Sequence, residues 1–167
     1  MAWRSLPLSD ELIWRAPLPT AERALAESIR EKIATLRPHL LDFLRLDESA
    51  PGHALTLAEW SQPTALRSLL ATYSDHIYRH QPTLTREQKH LLSLWAQWYI
   101  GLLVPPLMLA LLNEPQGLSL APEHFHVEFH ESGRAACFWI DVHSDAGIER
   151  LSPLSRIDAL VTRTLQP

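Results

Sequence analysis

The stretch HFHVEFHESGRAACFWIDV, residues 124–142, decides the fold. Within it HFHVEFH (124–130) and AACFWIDV (135–142) alternate apolar and polar side chains, the period of a half-buried strand. Ser132-Gly133 between them reads as a two-residue hairpin turn. Such a turn pairs Phe129 with Ala136, Val127 with Phe138 and Phe125 with Ile140, so one face is wholly apolar. The opposite face pairs Glu128 with Cys137, His126 with Trp139 and His124 with Asp141. Slipping one strand by one residue would mix the faces, so turn and pattern favour the same register. An isolated hairpin is marginal in water. Its edges are therefore expected to be paired by a second copy or by a further part of the protein.

Upstream, the segment 91–112 (LLSLWAQWYIGLLVPPLMLALL) carries no charge over 22 residues, a length that could cross a membrane. Ser93 and Gln97 interrupt it, and Pro105-Pro106 is expected to break it. The reading is therefore a central buried core helix and no transmembrane span. Gly101 in its interior suggests close approach of a neighbouring backbone. Thr85 and Gln88 form a capping-box pattern at its start, and Thr56 and Glu59 form another before Pro63, which suits a first helical turn. Leu66, Leu69, Leu70, Tyr73 and Ile77 give that earlier helix an apolar face, ended by Gln81-Pro82. Thr20 can cap a first helix with Leu25, Ile29, Ile33, Leu36, Leu40, Phe43 and Leu44 at helical spacing, kinked or restarted at Pro38. Residues 1–19 hold three prolines and read as an irregular lead-in. Residues 47–55, 113–123 and 143–152 read as loops. Ser152-Pro153 opens a last helix with Leu154, Ile157, Leu160, Val161 and Leu165 as its apolar positions. The expected fold is α+β and predominantly helical: a central buried apolar helix with an antiparallel hairpin or sheet at 124–142. Residues 1–167 form a single domain or the N-terminal fragment of a larger protein.

Bulk composition narrows the function. Hydrophobic residues make up 46% and charged residues 20%, as in a globular chain. Net charge is −4 with Lys and Arg scattered, so nothing resembles a phosphate-neutralising stripe and nucleic acid is not an expected partner. There is one cysteine, Cys137, which excludes a disulfide framework and a four-thiolate cluster built from this chain. The first residues lack the apolar core of a signal peptide, and a cytoplasmic location is expected.

The polar face of the hairpin is the richest candidate site: His124, His126, Glu128, His130, Trp139 and Asp141. Two imidazoles in His-x-His on a strand share a face, a metal-like arrangement. Same-face positions 124–130 span roughly 20 Å at ~6.8 Å per pair, so all four cannot reach one ion. A ligand-facing surface, or the solvated side of an antiparallel sheet, are the other readings. No metal site is assigned. His76 and His80, with Arg79, lie on one helix and read as a polar face or C-terminal cap.

WAQWYIGLLVPPLMLALL (95–112) and PEHFHVEFHESGRAACFWIDV (122–142), with YSDHIYRHQPTLTRE (73–87) before them, resemble FhuF-type ferric siderophore reductases, and the similarity runs along the whole chain. The resemblance implies a cytoplasmic oxidoreductase that reduces ferric iron in imported siderophores, mainly hydroxamates. Ferrous iron binds such chelators weakly, so reduction releases it. It also implies a [2Fe–2S] cluster on four cysteines near the C-terminus, two adjacent and the last two in C-x-x-C spacing. Cys137 is none of these, so this chain is expected to ligate no cluster. It would supply scaffold and a surface for a ferric hydroxamate siderophore. Its partners would then be the missing cluster region or a second copy, with room for peripheral association with the inner membrane. The alternative is a cluster-free siderophore-binding or interaction module.

Overall fold

A computed structural model describes residues 20–165. The lead-in expected over residues 1–19 lies outside them. The elements are α1 (Thr20–Leu36), β1 (Leu44–Leu46), β2 (Leu55–Thr56), α2 (Leu57–Trp60), α3 (Pro63–Ile77), α4 (Gln88–Asn113), β3 (Phe125–Phe129), β4 (Ala135–Ile140), α5 (Ala146–Glu149) and α6 (Pro153–Leu160). The four strands form one mixed sheet in the order β1-β4-β3-β2. The fold is therefore α+β and predominantly helical, as the sequence indicates.

The hairpin holds the expected register through four pairs, Phe125–Ile140, His126–Trp139, Val127–Phe138 and Glu128–Cys137. It departs at the tip. Phe129 stands opposite Ala135, with a bulge beside it, and not opposite Ala136. The loop has three residues, Glu131–Gly133: Gly133 N–H donates to His130 O at 2.8 Å and His130 N–H to Arg134 O at 2.9 Å. Gly133 sits at φ +79, the left-handed residue that closes a three-residue hairpin. A Cβ there would come within 2.5 Å of Leu69 O in α3. Glycine thus lets the tip dock on α3, and from α4 Trp95 Nε1 donates to Gly133 O at 2.7 Å.

The expectation that an outside strand pairs the hairpin edges is corrected. β1 pairs with β4 in parallel, and β2 pairs with β3 antiparallel. Leu44 had counted as helical and Leu55 as loop; strands of three and two residues are too short to show a period. Both edges of the sheet are correspondingly short, which limits pairing with other chains.

The inner face of the sheet carries Phe125, Val127, Phe138 and Ile140, each fully buried. Leu91, Trp95, Tyr99, Leu103, Leu107 and Ala110 form the stripe of α4 that joins this core. Trp60 of α2, Trp95, Tyr99 and Phe129 make a continuous ring cluster, with Tyr99 edge-on to Phe138 at 5.3 Å. Aromatic pairs in such offsets add about 0.5–1.5 kcal/mol each beyond burial.

Two expectations about α4 are overturned. It runs unbroken through Pro105 and Pro106. Proline leaves the carbonyl four residues back without a donor, and for Pro105 that is Gly101; both lie on the exposed side, where water can satisfy it. Gly101 answers no close approach, since a Cβ there meets nothing within 4 Å. The helix is the central core element as expected, and its outer side leaves Leu94, Trp98, Ile100 and Leu112 exposed. Arg134 covers Trp98, its guanidinium 4.7 Å from the ring centre. By length and composition α4 is apolar enough to cross a membrane.

Helix boundaries follow their caps. Thr56 and Glu59 make the expected capping box, with reciprocal bonds of 3.2 and 2.7 Å. The Thr56 hydrogen bonds hold the Glu59 carboxyl below its usual value. The helix it opens is short, and Pro63 starts α3 separately. α3 stops at Ile77 instead of Gln81, and Ile77 is exposed. The Thr85–Gln88 box does not form: Glu87 is the N-cap of α4 and makes no side-chain cap bond. Leu40 lies in a 3-10 turn over Pro38–Asp42, because Pro38 ends α1 outright. α5 lies within the expected 143–152 loop, capped by Asp145, which accepts from Gly147 N–H at 2.7 Å. Ser152 caps α6 as expected, but Leu154 is 80% exposed and Arg156 is buried. The Arg156 guanidinium donates to Leu111 O, Glu114 O, Pro115 O and Glu149 O, which satisfies the end of α4 and sets the rotation of α6.

Candidate functional site

The pleat turns His126, Glu128 and Trp139 to the outer face of the sheet, where all three are half-buried. Trp139 Nε1 donates to Glu128 Oε2 at 3.2 Å, so indole and carboxylate are fixed side by side. His53, from the loop before β2, lies 3.4 Å from the other Glu128 oxygen. His126 Nδ1 is 4.0 Å from Asp141 Oδ2 and makes no hydrogen bond among the described residues. Arg45 of β1 is in register with Trp139. Together these side chains form an amphipathic platform: an indole between a hydrogen-bonded carboxylate and imidazoles with bonding capacity to spare.

His124 and His130 do not continue this row. His124 ends a short 3-10 turn before β3, and its ring meets that of His143 edge-on at 4.3 Å. Its carbonyl accepts from Asp141 N–H at 3.0 Å, so the expected His124–Asp141 neighbourhood survives through the backbone. His130 is exposed at the hairpin tip, where Nδ1 accepts from Ser132 N–H at 3.1 Å and lies 2.9 Å from the Ser132 hydroxyl. It braces the turn.

A second polar group joins the row at the end of β4. His143 Nδ1 lies 3.0 Å from Glu22 Oε1 of α1. Asp47, left-handed at φ 55 after β1, accepts from Val142 N–H at 2.7 Å through Oδ1, while Oδ2 is buried without a hydrogen bond among the described residues. Burial pushes the Asp47 carboxyl up, against the Val142 bond and His143, which pull it down. His143 falls in the stretch expected as loop, although it continues the period of Trp139 and Asp141, which is the signal that could have found it. Asp47, His53 and Glu22 carried no signal, because long-range pairing brings them in. Among the described residues no group of three or more His, Cys, Asp or Glu is arranged to hold a metal ion.

Cys137 is on the same strand face but buried, and desolvation pushes its thiol up more strongly than Arg45 lowers it. A protonated, buried thiol is a poor nucleophile and a poor ligand. A four-thiolate cluster does not fit this chain, which has this one cysteine. His76, Arg79 and His80 are clustered at the end of α3, with Arg79 Nε donating to His80 Nε2 at 3.0 Å and Nη1 3.3 Å from His76 Nδ1. They satisfy one another at an exposed helix end.

Residues 93–165 match a family described as ferric iron reductase FhuF-like transporter. Over all 167 residues the chain is 57% identical to a curated protein of Escherichia coli (strain K12) named ferric siderophore reductase. The chain spans 64% of that relative's length.

Proposed function

From the family match over residues 93–165 and the whole-chain similarity to a ferric siderophore reductase, we propose that this chain is the siderophore-contacting part of such a reductase acting in the cytoplasm. The observation that carries the reading is the outer sheet face, where Trp139 is held against Glu128 beside His126. A ferric hydroxamate chelate is bulky, with polar oxygens around the metal and aliphatic arms. Trp139 offers the arms an apolar platform, and the imidazole of His126 can donate to chelate oxygens. The chelator already fills the coordination sphere of ferric iron, so this histidine acts as a hydrogen-bond donor and not as a ligand. Glu128 fixes the Trp139 indole, and Asp141 lies 4.0 Å from His126 on the same face.

The electron must come from outside these residues. The [2Fe–2S] group that the resemblance implies finds one buried thiol here, so no step is assigned to it on this chain. The supplier would be a cluster-bearing region of the parent protein. The alternative, a cluster-free siderophore-binding or interaction module, would use the same face. Absorption spectra after iron–sulfide reconstitution separate the two accounts from a third, in which this chain ligates a cluster: we expect no charge-transfer bands and no stoichiometric sulfide. For the site, the test is His126→Ala with Trp139→Ala in a full-length parent protein. Affinity for a ferric hydroxamate siderophore and its reduction rate should fall about tenfold, the loss of one or two contacts worth ~1.4 kcal/mol together. Parental values in a folded variant would place the ligand elsewhere.

A further inference from the structure

A cleft of about 680 Å³ lies between α3 and the first turn of α4, a size usual for small-molecule sites. No residue lining it belongs to the sheet, and its reading does not depend on the siderophore. Leu70, Leu91 and Leu92 give it an apolar lining, and Arg67, Arg86 and Lys89 bring three cations to it. Ser74, 6% exposed, also lines it.

The cations are not balanced from within the fold. Arg86 contacts Asp75, but neither Arg67 nor Lys89 has a carboxylate partner among the described residues. α4 adds to the imbalance. Its first turn holds no acidic residue and begins Gln88-Lys89, while the adjacent Glu87 carboxylate is engaged with His90 at 2.8 Å. A basic first turn on a long helix opposes the helix dipole. In a chain of net charge −4, this concentration of positive charge around an apolar hollow calls for an anion with an apolar body.

We propose that this cleft binds an organic phosphate whose apolar body lies on Leu70, Leu91 and Leu92 while its phosphate meets Arg67, Lys89 and the Ser74 hydroxyl. Arginine and lysine select the phosphate, and the leucines favour an organic phosphate over a bare ion by burying its apolar body. Flavin and nicotinamide nucleotides belong to this class, and flavin mononucleotide is the probe of choice because its fluorescence reports binding.

The experiment titrates flavin mononucleotide into the chain, with riboflavin as the same body lacking phosphate. We expect saturable binding of the mononucleotide, at least tenfold weaker binding of riboflavin, and weakening with added salt. Arg67→Gln with Lys89→Gln should reduce affinity at least tenfold, and Ala71→Trp, which fills the cleft and keeps its charges, should abolish binding. Both sets lie on exposed positions, and circular dichroism confirms the fold. Arg150→Gln, outside the cleft, should leave affinity unchanged. Absence of saturable binding, equal affinity for riboflavin, or an unchanged affinity in either cleft variant overturns the proposal.

Discussion

The two faces of the β3–β4 ribbon come from the same residues read alternately, yet they do different work. Inward, Phe125, Val127, Phe138 and Ile140 are fully buried against α4 and its aromatic cluster. Outward, His126, Glu128 and Trp139 remain half-exposed; Trp139 bonds Glu128, which also meets His53, while His126 Nδ1 makes no hydrogen bond among the described residues. The difference teaches where stability and recognition are divided. Substitutions on the inner face should be read in unfolding, and those on the outer face in binding.

The sharpest way to break that division is a pair of neighbours. Phe138→Ala should cost about 3–5 kcal/mol, the usual penalty for emptying a buried aromatic site. Trp139→Ala, one residue along, should cost less than about 1.5 kcal/mol, because its ring is already half in water. Urea denaturation compares them directly, and similar losses would show that the outer face is also structural core. A smaller effect tests the hairpin tip. Gly133→Ala should lose roughly 1–3 kcal/mol, since the left-handed φ and the approach to Leu69 O both oppose a Cβ. A neutral result would mean the tip does not dock on α3.

Cys137 sharpens the comparison chemically. It shares the outward alternation but is buried and its thiol is raised, so iodoacetamide should modify the native chain at least about tenfold more slowly than the urea-unfolded chain. Equal rates would make it part of the open surface. The smallest expected effect is at Asp47. Burial raises its carboxyl in the folded state, so folding favours the protonated form; that contribution is present below the unfolded pKa and is lost as pH rises through the folded one. Asp47→Asn keeps an acceptor for Val142 N–H and tolerates the left-handed φ. The variant should be at least as stable as the parent at neutral pH, with a flatter stability profile across the carboxylate range. A clear loss at pH 7 would show that the ionised form is the one the fold holds.

The inner register was legible because alternation allows no other arrangement of Phe125, Val127, Phe138 and Ile140. The tip was not, because Ser132-Gly133 serves a two-residue and a three-residue loop equally well. β1 and β2 escaped notice for want of length, and with them Asp47 and His53, which reach the outer face through pairing distant in sequence. On α4 nearly every position is apolar, so composition alone could not say that Trp98 and Leu112 face outward. In α6 the buried arginine reversed the helix, since hydrogen bonds to the end of α4 outweigh burying Leu154. Of the six candidate site residues, His126, Glu128, Trp139 and Asp141 are close together, His124 belongs to the His143 end, and His130 serves the turn.

The central claim is that the outer face receives the chelate, and the most direct measurement is an NMR titration with a gallium-loaded trihydroxamate siderophore. Gallium keeps the shape and charge of the ferric complex without paramagnetic broadening. The indole N–H signal of Trp139 and the amides of 126–128 and 139–141 should shift together and saturate. The indole of Trp95, bonded to Gly133 O within the core, should stay in place. Shifts centred on His76, Arg79 and His80, with Trp139 unmoved, would contradict the account.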